Sequence, residues 1–233
     1  MERYDDIEVK SYDFLAYCYD ELLGDRDAFS LWLEYIEEQP FHSVLELASG
    51  SGVMAGILLE KGYDVLASDI SASMKDVAKK NYSGRYEIID MSDYELGHCF
   101  DLVLCICDSA NYLEEEELDS FFECAYKHLN TGGRMIFDMH SSKRLSEFSE
   151  EYIEEGHLND MPYQWTILAD PYDKTIHEHF TFYTERGMIQ EYHTQHVFEV
   201  QMMKSKMEKA GFSVRVIEDF VPDEKILVIG EKL

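Results

Sequence analysis

Basic residues are scarce in this chain: 20 Lys and Arg stand against 48 Asp and Glu, a formal net charge of −28. The average field of such a surface repels a phosphate backbone, so a nucleic acid partner is disfavoured. The short basic cluster at Lys204, Lys206 and Lys209 has helical spacing and reads as a solvated helix face. Long apolar runs are missing as well. None approaches the roughly 18 residues that would suggest a membrane span, so no membrane partner is expected. The opening stretch, Met1 to Glu8, is acidic and carries no apolar signal segment, which speaks against secretion. Five cysteines, an odd number without framework spacing, fit reduced thiols in a cytoplasmic protein. No repeat or low-complexity linker interrupts the chain. What it does hold is 45% apolar residues over 233 positions, enough for one full domain or a domain with a sizeable insertion.

The chain is organised around Val44-Leu45-Glu46-Leu47-Ala48-Ser49-Gly50-Ser51-Gly52. An apolar run leads into two glycines one residue apart, and a helix-like segment, Val53 to Glu60, follows. That is strand, tight turn and helix, the first half of a nucleotide-binding βαβ unit. Glycine suits a turn where a ligand lies against bare backbone. The next strand, Asp64 to Ser68, ends in Asp69, about 20 residues beyond the glycines, a spacing suited to binding ribose hydroxyls. Gly50-Ser-Gly52-Val-Met-Ala55 also fits the dinucleotide pattern. Glu46 discriminates: a carboxylate at this strand end repels a diphosphate and attracts the ammonium and sulfonium of S-adenosylmethionine.

The β/α alternation continues. Helices are expected at Ser11–Gly24, at 27–38 with Phe29, Trp32, Leu33 and Ile36 on one face, and from Ser71, a candidate N-cap, to Asn81. Strands are expected at Arg85–Ile89, Asp101–Cys107 and Arg134–Asp138. Glu114–Glu117 open the helix between the last two, which stops at Asn130–Gly133, where the fifth strand follows. Alternation then breaks into strand-like runs at Tyr163–Leu168, Thr175–Tyr183 and Met188–Val200, an antiparallel meander. A helix over Gln201–Ala210 returns the chain to two strands, Phe212–Phe220 and Lys225–Gly230. Their four-residue link forces an antiparallel pair. The expected architecture is α/β: a Rossmann-like, mostly parallel seven-stranded sheet with a reversed terminal strand and an inserted antiparallel meander.

With these pieces in place the chain resembles the class I S-adenosylmethionine-dependent methyltransferases over nearly its whole length. Glu46-Leu-Ala-Ser-Gly50-Ser-Gly52 looks like the family's E/D-x-G-x-G-x-G, and Asp69 to Met74 like its ribose-binding turn. Tyr12, Ala16, Tyr19, Asp20 and the distant Trp32 resemble the small-molecule subgroup that includes glycine N-methyltransferase. The late Glu191 to Gln195 beside Ala210 to Phe212 resembles its bacterial members. The resemblance implies a cofactor site with Glu46, Ala48, Ser49, Gly50 and Gly52 at the methionyl end. Asp69, Ile70 and Met74 would lie at the ribose, with Asp90, Met91 and Ser92 at adenine. Cys107 and Asn111 would flank the donor, and Tyr12, Tyr19 and Trp32 would enclose it. It also implies three regions: an N-terminal helical lid (1–40), a core (41–144 and 201–233) and an acceptor-side cover (145–200). Ala48 departs from the pattern; an alanine there adds a small bulk at the turn but permits an ordinary φ, and binding is expected to survive with some adjustment.

The candidate catalytic residues are Asp108, Tyr112 and His140, all following the carboxyl ends of strands. His140 is a candidate base or a capped side chain; Asp108 holds an amine acceptor or caps a helix; Tyr112 packs or participates. The aromatics near the start are core or lid. His177 and His179 share a strand face without a matching carboxylate or cysteine cluster, so no metal is expected. The acceptor is expected to be a small molecule with an N or O nucleophile, amine-bearing by preference given the acidic surface. The meander also suits a homodimer contact. Two rival readings remain: a non-catalytic cofactor-binding module, and an NAD-dependent oxidoreductase, which Glu46 and the terminal hairpin oppose.

Overall fold

In the computed structural model, which describes residues 7–8, 12–22, 24 and 26–233, the chain builds two sheets. The larger has the order β11-β12-β6-β5-β2-β3-β4. Its members are β2 (Ser43–Glu46), β3 (Asp64–Asp69), β4 (Arg85–Ile88), β5 (Phe100–Cys105), β6 (Leu129–His140), β11 (Ser213–Val221) and β12 (Lys225–Glu231). Strands β2 to β6 pair in parallel, while β12 runs antiparallel to both its neighbours, β6 and β11. The final strand is therefore the single reversed one. β5 and β2 are almost wholly buried, because helices cover both faces of a parallel sheet. These helices are α2 (Ser30–Ile36), α3 (Val53–Glu60), α4 (Ala72–Asn81), α5 (Leu118–Lys127) and α7 (Val200–Lys209), after the short α1 (Tyr19–Leu22). None is long and apolar enough to cross a membrane among the described residues.

The chain order reverses between β2 and β5, which puts a crevice at the carboxyl ends of the central strands, where open α/β sheets bind ligands. Over that edge lies the second sheet. It comprises β7 (Tyr152–Leu158), β8 (Met161–Asp170), β9 (Thr175–Thr184) and β10 (Gly187–His196), all antiparallel, with β1 (Ile7–Glu8) added parallel to β10. A short helix, α6 (Arg144–Glu147), leads into it.

Several local expectations change. Ser11 and Leu23 lie outside the described residues, and the stretch between them is a 3-10 turn at Leu15–Tyr17 followed by α1, broken by Tyr12 at φ +62. The meander has four strands rather than three runs. β7 escapes sequence detection because Glu154 and Glu155 interrupt its alternation and most of the strand is exposed. The expected stop at 130–133 lies inside β6, but as a bulge: Phe100 pairs with Leu129 and Leu102 with Arg134, so residues 130–133 loop out of the ladder. α5 starts at Leu118, and Glu114–Glu117 form the turn before it, with the Glu114 N–H donating to the Glu117 carboxylate.

The turn after β2 carries left-handed residues at 48, 50 and 52, and Ala48 is one of them at φ +50. The alanine thus keeps the backbone geometry of the glycine it replaces instead of an ordinary φ, which costs roughly 1–2 kcal/mol. Gly52, at φ +83, opens α3. A Cβ there would sit 2.9 Å from the Ala78 Cβ and 3.2 Å from the Tyr86 ring. Gly52→Ala is therefore expected to destabilise the protein by about 2 kcal/mol from combined strain and overpacking. Urea denaturation checks this, and an unshifted midpoint contradicts it.

Candidate functional site

A cavity of about 760 Å³ opens in the crevice between the two sheets. The turn after β2 forms its floor. At Gly50 a Cβ would meet nothing within 4 Å, so the backbone there faces open space. Of the two glycines, one admits a neighbour from solvent and the other admits a packed helix. Ala48 and Ser49 also line the floor. The Ser49 N–H donates to the Ser68 carbonyl at 2.7 Å, which ties the turn to β3.

Asp69 ends β3 at the wall of this cavity and is 8% exposed. Its Oδ2 accepts the Gly50 N–H at 2.9 Å and its Oδ1 accepts the Ser71 N–H at 2.8 Å. A carboxylate offers about four acceptor directions, so both oxygens can take further donors. Burial raises its pKa, and these N–H groups oppose that rise. Ser71 caps α4 by accepting the Met74 N–H, which orients Ile70 and Met74 along the same wall. Farther along, Asp90 and Met91 line the rim. Ser92 itself does not reach the cavity; its N–H and hydroxyl both donate to Asp90 Oδ1, at 2.9 and 2.7 Å.

Glu46 is the most distinctive group on the floor. It is 2% exposed, its Oε2 has no hydrogen-bond partner, and burial pushes its carboxyl up to about 8. An unpartnered buried carboxyl facing a cavity is costly and marks a place for a cationic ligand group.

At the end of β5, Cys107 and Asp108 both take positive φ, +61 and +58. Asp138 of β6 holds them: its carboxylate accepts the Cys107 N–H at 2.7 Å, the Asp108 N–H at 2.9 Å and the Trp32 Nε1–H at 2.9 Å. Arg134 donates to the carbonyls of Ile36, the last residue of α2, and of Gln39 beyond it, which ties the end of that helix to β6. The Asp108 carboxylate contacts Lys225 Nζ, which also lies 3.5 Å from Asp138. Lys225 holds the Asp108 carboxyl below the usual carboxylate range against the opposing effect of burial.

His140 is the last residue of β6 rather than a residue beyond it. Its Nε2 meets the Gln195 Oε1 at 2.9 Å, so that nitrogen is the donor, and its Nδ1 lies 3.6 Å from Asp108 Oδ1. Burial lowers its pKa, and Asp108 opposes the shift. In the neutral ring that tautomer leaves Nδ1 unprotonated and without a hydrogen bond, turned toward Asp108, so Gln195 fixes the imidazole and the imidazole does not hold the carboxylate. Tyr112 and Tyr12 join hydroxyls at 2.6 Å, and burial raises the pKa of both phenols. Tyr19 stands beside them, 6.1 Å from Tyr12 between ring centres.

Most of the residues singled out from sequence thus converge on one cavity. Gly52, Ser92 and Asn111 do not line it. Asn111 is fully buried and clamps two strands, donating to the His196 carbonyl and accepting the His140 N–H. His177 meets the Thr175 and Thr194 hydroxyls, and His179 stacks on Tyr192. No metal-binding cluster occurs among the described residues. Sequence reasoning missed Asp138, Lys225, Gln195 and Glu178. For Asp138 a signal existed: a lone charge inside the apolar run from Met135 to Met139.

Residues 44–133 match the family described as "Methyltransferase domain". A protein of Geobacillus sp. (strain WCH70), provisionally named a methyltransferase, is 26% identical over 95% of this chain and 100% of its own length. Among solved structures, an S-adenosylmethionine-dependent methyltransferase from Clostridium acetobutylicum ATCC 824 superposes with a TM-score of 0.78. It is 22% identical and covers 94% of this chain and 98% of that one. The sugar N-methyltransferase KedS8 from Streptoalloteichus sp ATCC 53650 gives a TM-score of 0.80 at 19% identity, covering 100% of this chain and 96% of the other. At these identities the structural likeness speaks to fold.

Proposed function

The chain belongs to the class I S-adenosylmethionine-dependent methyltransferases, and on that premise we propose that it methylates the nitrogen of a small, amine-bearing molecule. The observation that carries the cofactor part of this reading is the buried Glu46 carboxyl, whose Oε2 has no hydrogen-bond partner, on the floor it shares with the bare backbone of Gly50. These residues fit the group. Glu46 would face the methionyl ammonium, Asp69 would accept the ribose hydroxyls, and Asp90 with Met91 would recognise adenine, Ser92 holding Asp90 in place from behind. Ala48, Ser49, Ile70, Met74 and Cys107 would complete the berth, and Tyr12, Tyr19 and Trp32 would enclose it. When bound, S-adenosylmethionine supplies a methyl carbon activated for in-line displacement.

The protein's own task is to bring a lone pair to near-attack distance, about 3–3.5 Å, and to align it there. The N-terminal stretch would act as a lid over the cofactor half, and the second sheet as a cover shaping the acceptor half. Trp165, Glu178, Phe180 and Gln195 of that sheet line the same cavity as Asp108 and Tyr112. In this reading Asp108 sets the charge of the acceptor half, with Lys225 fixing its orientation, His140 stands beside it as a candidate base, and Tyr112 closes one wall. The carboxylates facing the cavity favour an amine, in keeping with a solved neighbour that is a sugar N-methyltransferase. An acceptor screen over small amines and matched alcohols, read by S-adenosylhomocysteine release, tests the proposal; turnover confined to alcohols overturns it.

Glu46 makes cofactor binding pH-dependent. Its carboxyl sits at about 8 in the free protein, so at pH 7 it is mostly protonated. An ammonium placed beside it lowers that value, so binding releases a proton. Affinity for S-adenosylhomocysteine is therefore expected to rise with pH from 6.5 to about 8 and then level. Calorimetry in buffers of different ionisation heat detects the released proton. Glu46→Gln is expected to abolish both effects, and a wild-type affinity that ignores pH contradicts the assignment.

A further inference from the structure

Strand β9 turns Ile176, Phe180 and Phe182 inward, each at most 1% exposed, and Glu178 interrupts this apolar stripe. The neighbouring strand, β10, turns Glu191, His193 and Gln195 inward. Two of those three have structural work. Glu191 accepts the backbone N–H groups of Tyr12, Phe14 and Leu15. Gln195 bonds His140 and donates to the Asp108 carbonyl. Glu178 has none: no hydrogen bond holds its carboxyl among the described residues, and it faces the cavity. Directly opposite it in register stands His193, buried, with neither ring nitrogen in a hydrogen bond and its Nε2 3.6 Å from Glu191 Oε2. Burial and Asp108 raise the Glu178 carboxyl, while His193 on β10, Arg144 on α6 and Lys225 on β12 oppose them, leaving it at about 7.

The surroundings are those of a cation site. Trp165 and Phe180, stacked on each other at 5.2 Å, line the same cavity as Glu178, and so do Tyr12 and Tyr112. The positive charges nearby already have partners: Lys225 has Asp108 and Asp138, and Arg144 has Glu147. Aromatic faces and a carboxylate together select an alkylammonium.

Resting on the amine reading above, we propose that Glu178 receives the acceptor: its carboxylate binds the protonated nitrogen of a primary or secondary alkylamine and takes one proton from it. One N–H bond of the ammonium breaks, the proton goes to a Glu178 oxygen, and the nitrogen regains its lone pair. That pair forms the new N–C bond as the donor's S–C bond breaks, with the S–C electron pair left on sulfur. The product leaves as the methylated ammonium, and Glu178 remains protonated. Glu178 lines the open cavity, so once the product has left it returns that proton to solvent.

The test uses the full chain saturated with S-adenosylhomocysteine and two isosteric probes, benzylamine and benzyl alcohol, titrated by calorimetry at pH 7.5. Wild-type protein is expected to bind benzylamine at least tenfold more tightly than the alcohol. Glu178→Gln is expected to lose at least tenfold for benzylamine while keeping its affinities for benzyl alcohol and S-adenosylhomocysteine within about twofold. Unchanged benzylamine binding in Glu178→Gln overturns the role of Glu178 and leaves the amine reading standing. A wild-type protein that prefers the alcohol, or binds neither probe, overturns both. If Glu178→Gln fails to fold, Glu178→Asp takes its place. It keeps the charge but draws it back by one methylene, and is expected to lose at least threefold for the amine alone; no loss again overturns the assignment.

Discussion

Replacing Asp69 by alanine is expected to weaken S-adenosylhomocysteine binding by at least tenfold. Hydrogen bonds to a charged partner contribute roughly 1.5–3 kcal/mol each, and the ribose offers two hydroxyls. The loss has a second source. The same carboxylate accepts the Gly50 and Ser71 N–H groups, so its removal also frees the glycine turn and the start of α4 from each other. Asp69→Asn keeps one acceptor oxygen and is expected to fall between wild type and alanine. Calorimetric titration with S-adenosylhomocysteine checks both variants, and an unchanged affinity in Asp69→Ala removes Asp69 from the ribose.

The largest loss of stability is expected from Asp138→Ala. Three donors converge on this fully buried carboxylate, from Trp32, Cys107 and Asp108. An orphaned buried donor costs about 1–3 kcal/mol, and breaking one side of a buried charge network costs about 3–5 kcal/mol. Two non-glycine residues held at positive φ are released at the same time, so the strand end that carries Asp108 loses its set conformation. Lys225 keeps only Asp108 as counter-charge. The expected outcome is a drop of about 3–5 kcal/mol in urea denaturation together with strongly reduced turnover. A variant with wild-type stability shows that the residue 107–108 bend does not depend on Asp138.

The elements that were legible share a property: their signals are local. Alternating β/α blocks, the caps at Ser71 and the glycine-bounded turns follow from backbone preferences within a few residues. The four-residue link between β11 and β12 dictated an antiparallel pair by chain length alone. Where expectations failed, a distant partner had overridden the local preference. Ala48 takes a left-handed φ although alanine has no intrinsic reason to. The 130–133 segment stays within β6 as a bulge, held by the hydrogen bonds that Lys232 exchanges with Gly132 and Gly133. β7 exists because β8 supplies its ladder, not because its own residues alternate.

The same division runs through the site. Glu46, Gly50, Asp69 and Asp90 could be picked from sequence because each follows a strand by a fixed short interval, and the parallel sheet brings all such ends to one edge. Gln195, Lys225 and Glu178 could not, since each gains its role from groups on other strands; Asp138 showed only as a lone charge in an apolar run, with nothing to name its partners about 30 or more residues away. A carboxylate in a strand reads the same in sequence whether it is buried and clamps a bend, as Asp138 does, or half-buried and without a hydrogen bond at a cavity, as Glu178 is. Sequence by itself determined the order of elements and the cofactor edge, because periodicity and turn chemistry act over short separations. Only the tertiary structure decided which charges neutralise one another and which face open space, because burial and electrostatic partnership are properties of assembled surfaces.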